Sequence, residues 1–143
     1  MSEIETIEML NKLPSEQLLQ VYNNLRDECQ TLQAGLNEAK NEIMDTNDTL
    51  ATIESYTKTE IDQDLLVPLS DSVFVPGKVA SNDKVLLDLG TSYFAEITTD
   101  VAATIIKSRL EKIVERQKSL QNALEIKVTQ VQTISEILTQ RGQ

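Results

Sequence analysis

Two apolar stripes with heptad spacing flank a short stretch that alternates like β-strand, and this arrangement leaves few folds open. The first stripe is Leu18, Tyr22, Leu25, Cys29, Leu32, Leu36, Ala39, Ile43, Thr46, Leu50 and Ile53. The second is Ile106, Leu110, Ile113, Gln117, Leu120, Leu124, Lys127, Val131, Ile134 and Leu138. Both keep the 4-3-4-3 spacing of a coiled-coil seam. Because a compact β segment joins the two helices, the simplest partner for each is the other. The expected fold is mainly α with a small β part: a long antiparallel two-helix coiled-coil hairpin, two β-hairpins at its connecting end, and both chain termini at the other end.

The boundaries follow from breakers and caps. Pro14 suits a first helical turn, where its missing N–H costs nothing, and Glu16 favours the positive end of the helix dipole. The first helix is expected from Pro14 to about Ile61. Gly35 interrupts it, either as a point of close helix approach or as a tolerated blemish. Residues 1–12 read as a helical extension or a flexible tail. From Leu65 to Ile97 the period changes. Leu65–Leu69, Val73–Val75, Val85–Leu89 and Tyr93–Ile97 read as strands separated by Ser-Asp-Ser, Ser-Asn-Asp and Gly-Thr turns, which implies two hairpins. Pro76-Gly77 is expected to break the second strand, with Lys78-Val79-Ala80 resuming it. Thr98 or Thr99 can cap the second helix, which then runs from Thr99 to about Arg141. Gln117 and Lys127 place polar groups in the seam, either to fix register or because a two-stranded seam stays open to solvent. One domain is expected at 143 residues.

Composition narrows function mainly by exclusion. A net charge of −10 leaves no basic stripe to neutralise phosphates or an anionic membrane surface, so neither nucleic acid nor membrane is an expected partner. No segment approaches the roughly 18 apolar residues of a membrane span. The opening MSEIETIEML has neither the basic region nor the apolar run of a secretory signal, so a cytoplasmic chain is expected. There is no His and one Cys, which removes Ser-His and Cys-His nucleophile pairs and the usual zinc sites. The four glycines form no phosphate cradle, so no nucleotide, metal or other cofactor is expected, and no enzymatic activity.

Two regions hold apolar residues beyond what the seam uses. The β segment carries Phe74, Tyr93, Phe94 and many Val and Leu, yet four short strands cannot bury two faces alone, and open sheets have adhesive edges. Hairpins of several subunits sharing one interior would satisfy them. At the chain ends, Leu10, Leu13, Leu19, Val128 and Ile137 widen the apolar surface around Leu18, Ile134 and Leu138. Such a patch is either an interaction site or the seat of a folded-back N-terminal tail.

The order helix, two β-hairpins, helix resembles the α-class subunits of prefoldin. The stretches that carry the resemblance are Leu66-Val67-Pro68-Leu69, Val73-Phe74-Val75-Pro76-Gly77-Lys78, and Val85-Leu86-Leu87-Asp88-Leu89-Gly90-Thr91-Ser92-Tyr93-Phe94. The Val-Pro-Gly-Lys element is similar to the eukaryotic subunit 5 branch of that family. One departure is Ser92-Tyr93-Phe94-Ala95-Glu96, where the family more often has Gly-Tyr-Tyr-Val-Glu.

The resemblance implies an ATP-independent cochaperone: a heterohexamer with one further α-class and four β-class subunits. Its hairpins form a β-barrel platform, and its coiled-coil tips hold unfolded actin and tubulin for the cytosolic chaperonin. On that reading Leu66, Val67, Leu69, Val73, Phe74, Val75, Val85, Leu87, Leu89, Tyr93 and Phe94 build the platform. Leu10, Leu13, Leu18, Leu19, Val128, Ile134, Ile137 and Leu138 are the client-facing set. A structural coiled-coil adaptor, or a subunit of another prefoldin-like complex, is the alternative.

Overall fold

The computed structural model describes residues 2–142. In chain order the elements are α1 (Glu3–Lys12), α2 (Ser15–Thr57), β1 (Asp64–Pro68), β2 (Phe74–Lys78), β3 (Lys84–Gly90), β4 (Tyr93–Thr98) and α3 (Thr99–Arg141). α2 and α3 are 43 residues each, about 65 Å of helical rise. Every residue of both heptad stripes is buried or half-buried. The chain forms two compact units. The terminal unit comprises the chain up to Asn41 and from Val114 onward, and the central unit is Glu42–Ile113.

In the terminal unit the two long helices approach in opposite chain order. Leu18 packs with Ile134 and Ile137, Lys127 pairs with Glu28 at 2.8 Å, and Gly35 faces Leu120. The ion pair accounts for one polar seam position: the Lys127 stem lies along the seam while its ammonium reaches a partly exposed carboxylate. A Cβ built on Gly35 would sit 3.5 Å from Leu120 Cδ1, an ordinary contact. Gly35 is therefore tolerated here rather than demanded by close approach.

The residues before Pro14 form a separate helix. Ser2 and Glu5 make a capping box: the Glu5 backbone N–H donates to Ser2 Oγ at 3.3 Å, and the Ser2 N–H donates to Glu5 Oε2 at 3.0 Å. α1 ends at Lys12 because Leu13 precedes a proline, which disfavours helical backbone there. Leu13 is extended, with φ −75° and ψ 144°.

The central unit buries Val79, Leu87, Thr99, Ala102 and Ile106. Its helix ends are tied to the intervening loops. The Tyr56 hydroxyl lies within reach of the Ser81 and Lys84 carbonyls. Asn82 Nδ2 donates to the Thr59 carbonyl at 2.7 Å, and the Thr99 N–H donates to the Asp83 carbonyl at 2.9 Å. α3 starts with the Thr98 hydroxyl accepting from the Val101 N–H. α2 stops at Thr57, a turn earlier than its sequence suggests, because Thr59–Asp62 are taken up in loop contacts with Asn82 and Val79.

The four strands make two separate two-stranded antiparallel sheets, β1 with β2 and β3 with β4. β2 does not break at Pro76-Gly77; it runs through both residues with Leu66 opposite Pro76 and Leu65 opposite Gly77. Register explains this. The Leu69 N–H donates to the Val73 carbonyl and the Val79 N–H to the Gln63 carbonyl, so odd-numbered residues of the ribbon form its bonded pairs. Pro76 then falls at a non-bonded position, and its missing N–H faces the free edge. Lys78-Val79-Ala80 does not form a resumed strand, since β2 ends at Lys78.

β3 and β4 join through a two-residue loop, Thr91-Ser92, both residues with positive φ (50° and 66°). This is the handedness of a type I′ hairpin turn. Leu89 is bulged out of the ladder between Asp88, opposite Phe94, and Gly90, opposite Tyr93.

Candidate functional site

The two ribbons differ in how they treat their apolar side chains. All of β1 is exposed, and of β2 only Gly77 is not. Leu66, Leu69, Phe74, Val67, Val73 and Val75 are therefore all accessible, although alternate residues of a strand point to opposite faces. Both faces of the β1–β2 ribbon are apolar and bare. The β3–β4 ribbon is covered on one side: Leu87 is buried, and Val85, Ala95 and Ile97 are half-buried. Its other side presents Leu86 and Phe94; Tyr93, at the end of the ribbon, and the bulged Leu89 are also exposed.

This alternation divides the platform residues read from the sequence between two faces. Leu87, at 7% exposure, is core of its own chain, while its neighbour Leu86, at 71%, takes the outward position. Val85 is turned inward with Leu87. Period 2 and its phase are both visible in the sequence, since Val85, Leu87 and Leu89 alternate with Lys84, Leu86 and Asp88, but the pattern does not say whether the apolar face is covered by this chain or by another. Backbone and side-chain bonds lock the bulge: Arg109 Nη2 donates to the Asp88 carbonyl at 3.0 Å, and the Gly90 N–H to Asp88 Oδ1 at 2.8 Å.

The terminal unit buries part of the client-facing set. Leu18 is 0% and Ile134 1% exposed, and with Ile137 they form the core of this unit. Leu10, Leu13 and Leu138 are half-buried against that core. The excess apolar surface at the chain ends thus seats the N-terminal segment, which folds back upon it. Of the residues expected to face clients, Leu19 and Val128 are accessible. Ile4, Met9 and Ile126 add to the exposed surface of this unit. A cleft of about 270 Å³ separates α1 from α3, lined on α1 by Glu3, Thr6, Ile7 and Leu10 and on α3 by Ile126, Thr129, Gln130 and Thr133.

Arg141 has a role the sequence did not disclose. Its guanidinium donates to the carbonyls of Leu13 (2.6 Å) and Asn11 (2.5 Å) and to Ser15 Oγ (3.3 Å). The last turn of α3 thereby grips the junction of α1 and α2. Nothing local to Arg141 signals a partner almost the whole chain away. The Ser2-x-x-Glu5 spacing, by contrast, was a readable sign that α1 exists.

Among the described residues no group of His, Cys, Asp or Glu side chains is arranged to hold a metal ion, and no helix is long and apolar enough to cross a membrane.

A family model described as Prefoldin subunit matches residues 25–143, which takes in most of α2, both hairpins and α3. The chain belongs to the prefoldin subunit family. It is 30% identical over 135 residues to a probable prefoldin subunit 5 of Schizosaccharomyces pombe, covering 93% of this chain and 88% of that one. Human prefoldin subunit 5 is 28% identical over 137 residues, covering 94% and 87%. The prefoldin subunit alpha of Archaeoglobus fulgidus is 29% identical over 119 residues, covering 83% and 87%. In fold, the chain matches a filamentous prefoldin from Methanocaldococcus jannaschii solved by cryo-electron microscopy. The TM-score is 0.71 at 21% identity, over 85% of this chain and 98% of that one. Prefoldin membership makes this chain a chaperone subunit and agrees with the resemblance carried by its Leu-Val-Pro-Leu and Val-Pro-Gly-Lys stretches.

Proposed function

We propose that this chain is the subunit-5-like α-class member of a heterohexameric, ATP-independent holdase. The hexamer captures unfolded actin- and tubulin-like chains in the cytoplasm and passes them to the cytosolic chaperonin. The observation that carries the assembly part is the β1–β2 ribbon, apolar and exposed on both faces. A lone two-stranded ribbon is marginal in water, and strands from neighbouring subunits would cover it. Leu66, Val67, Leu69, Val73, Phe74 and Val75, with Leu86, Leu89, Tyr93 and Phe94 from the second ribbon, form the assembly face. Client contact falls to the accessible apolar side chains of the terminal unit, Leu19, Val128, Ile4 and Ile126 among them. Each such contact is weak, and several subunits acting together make the sum useful through effective concentration.

The test is co-expression with β-class prefoldin subunits, followed by native mass measurement and a light-scattering assay of actin diluted from guanidinium. The wild-type chain enters a hexamer that suppresses scattering. Leu66→Asp with Leu86→Asp leaves helical circular dichroism intact and abolishes the hexamer. A hexamer that persists in the double variant removes the assembly face, and a hexamer that leaves scattering unchanged removes the holdase reading.

A further inference from the structure

We infer that α1 is a hinged cover over the core of the terminal unit, latched by Arg141, and that its opening enlarges the apolar surface offered to clients. This rests on the holdase reading and adds its regulation.

Four observations converge. Leu10 of α1 and Leu13 of the junction pack on Leu18, Ile134 and Ile137, so this segment is what closes one side of that cluster. The cover is lightly held: α1 has ten residues, none of them buried, and a helix that short does not persist in water by itself. A cleft of about 270 Å³ also runs between it and α3. Finally, its attachment is concentrated at one end. Arg141 gathers the carbonyls of Asn11 and Leu13 together with Ser15 Oγ, and Asn11 is among the last residues of α1, whose carbonyls have no partner within the helix. The extended Leu13-Pro14 junction is a natural pivot, since proline fixes its own φ and holds Leu13 out of helical backbone.

Swinging α1 away about that pivot would uncover the side of Leu18, Ile134 and Ile137 on which Leu10 and Leu13 now rest. The long helices need not part. The terminal unit would then alternate between a closed form with modest apolar exposure and an open form with a continuous patch. A client able to bind the patch would draw the population toward the open form.

The experiment compares wild type, Arg141→Ala and Leu10→Ser, each assembled with its prefoldin partners. It uses hydrogen exchange by mass spectrometry and the suppression of actin scattering. Losing the latch makes the α1 amides exchange about fivefold faster, the effect of about 1 kcal/mol, with α2 and α3 unchanged. The hexamer concentration needed for half suppression falls about twofold or more. Leu10→Ser does the same through the other attachment, so the conclusion does not hang on one variant. Unchanged α1 exchange in Arg141→Ala overturns the latch. Faster exchange with equal or poorer suppression overturns the cover. Failure of the wild-type hexamer to suppress scattering is a different result, which refutes the holdase reading itself.

Discussion

Leu18 and Leu19 are adjacent, chemically identical and 0% and 50% exposed, so truncating each in turn separates core from surface. Leu18→Ala removes three carbon groups from complete burial. At about 0.8 kcal/mol per group, lost burial alone amounts to about 2.4 kcal/mol. The cavity adds to this, less whatever the neighbours Leu10, Leu13, Val21 and Tyr22 recover by closing in, which gives a destabilisation of about 3 kcal/mol. Leu19→Ala removes the same atoms from a half-solvated position on α2 and puts in the best helix former, so its cost is under about 1 kcal/mol. Urea unfolding followed by circular dichroism measures both. Hydrogen exchange should locate the Leu18→Ala loss in the N-terminal half of α2 and the C-terminal half of α3. Suppression of actin scattering at low temperature, where both variants are folded, should fall for Leu19→Ala. A Leu18→Ala chain as stable as wild type would show that this side chain is not interior and would return it to the client-facing set.

Two further outcomes follow from backbone geometry. Gly35→Ala places a methyl group in ordinary contact with Leu120 and should stabilise α2 by about 0.5–1 kcal/mol, read as a rise in thermal midpoint; a fall would mean the helices are closer at this point than described. Ser92→Gly should stabilise the β3–β4 hairpin by up to about 1 kcal/mol, because Ser92 holds φ at 66°, a region that costs a residue with a Cβ about 1–2 kcal/mol, partly offset by the greater freedom of glycine when unfolded. Ser92→Val should do the reverse, and equal stability of the three chains would remove the left-handed turn from the account.

The long helices were legible almost residue by residue, since a seam one side chain deep writes itself directly into a repeat of seven. Even its polar interruption at Lys127 has a local answer in Glu28. The hairpins were legible as hairpins but not in what covers each face. Pro76-Gly77 looks like a break until the register places the missing N–H on the outside, and the alternation of Val85 and Leu87 with Lys84 and Asp88 does not say whether their face is covered by this chain or by a neighbour. The surface at the chain ends was read in two ways from the sequence. In the structure Leu10 and Leu13 pack against Leu18, Ile134 and Ile137, while Leu19 and Val128 stay accessible. The anchor of the folded-back segment, Arg141, lies far along the chain from Asn11 and Leu13, and no spacing rule connects them.

The position of Pro76 carries a consequence for stoichiometry. Outward-pointing donors on β2 come from alternate residues, Phe74, Pro76 and Lys78, and the middle one is missing. On β1 the outward donors come from Asp64, Leu66 and Pro68, so that row also lacks one, at its end, and a strand arriving from another molecule would find a gap on either margin. Growth by lateral strand addition is thus blunted on both margins, which favours finite, closed sets of subunits over runaway sheets built from the same adhesive ribbon.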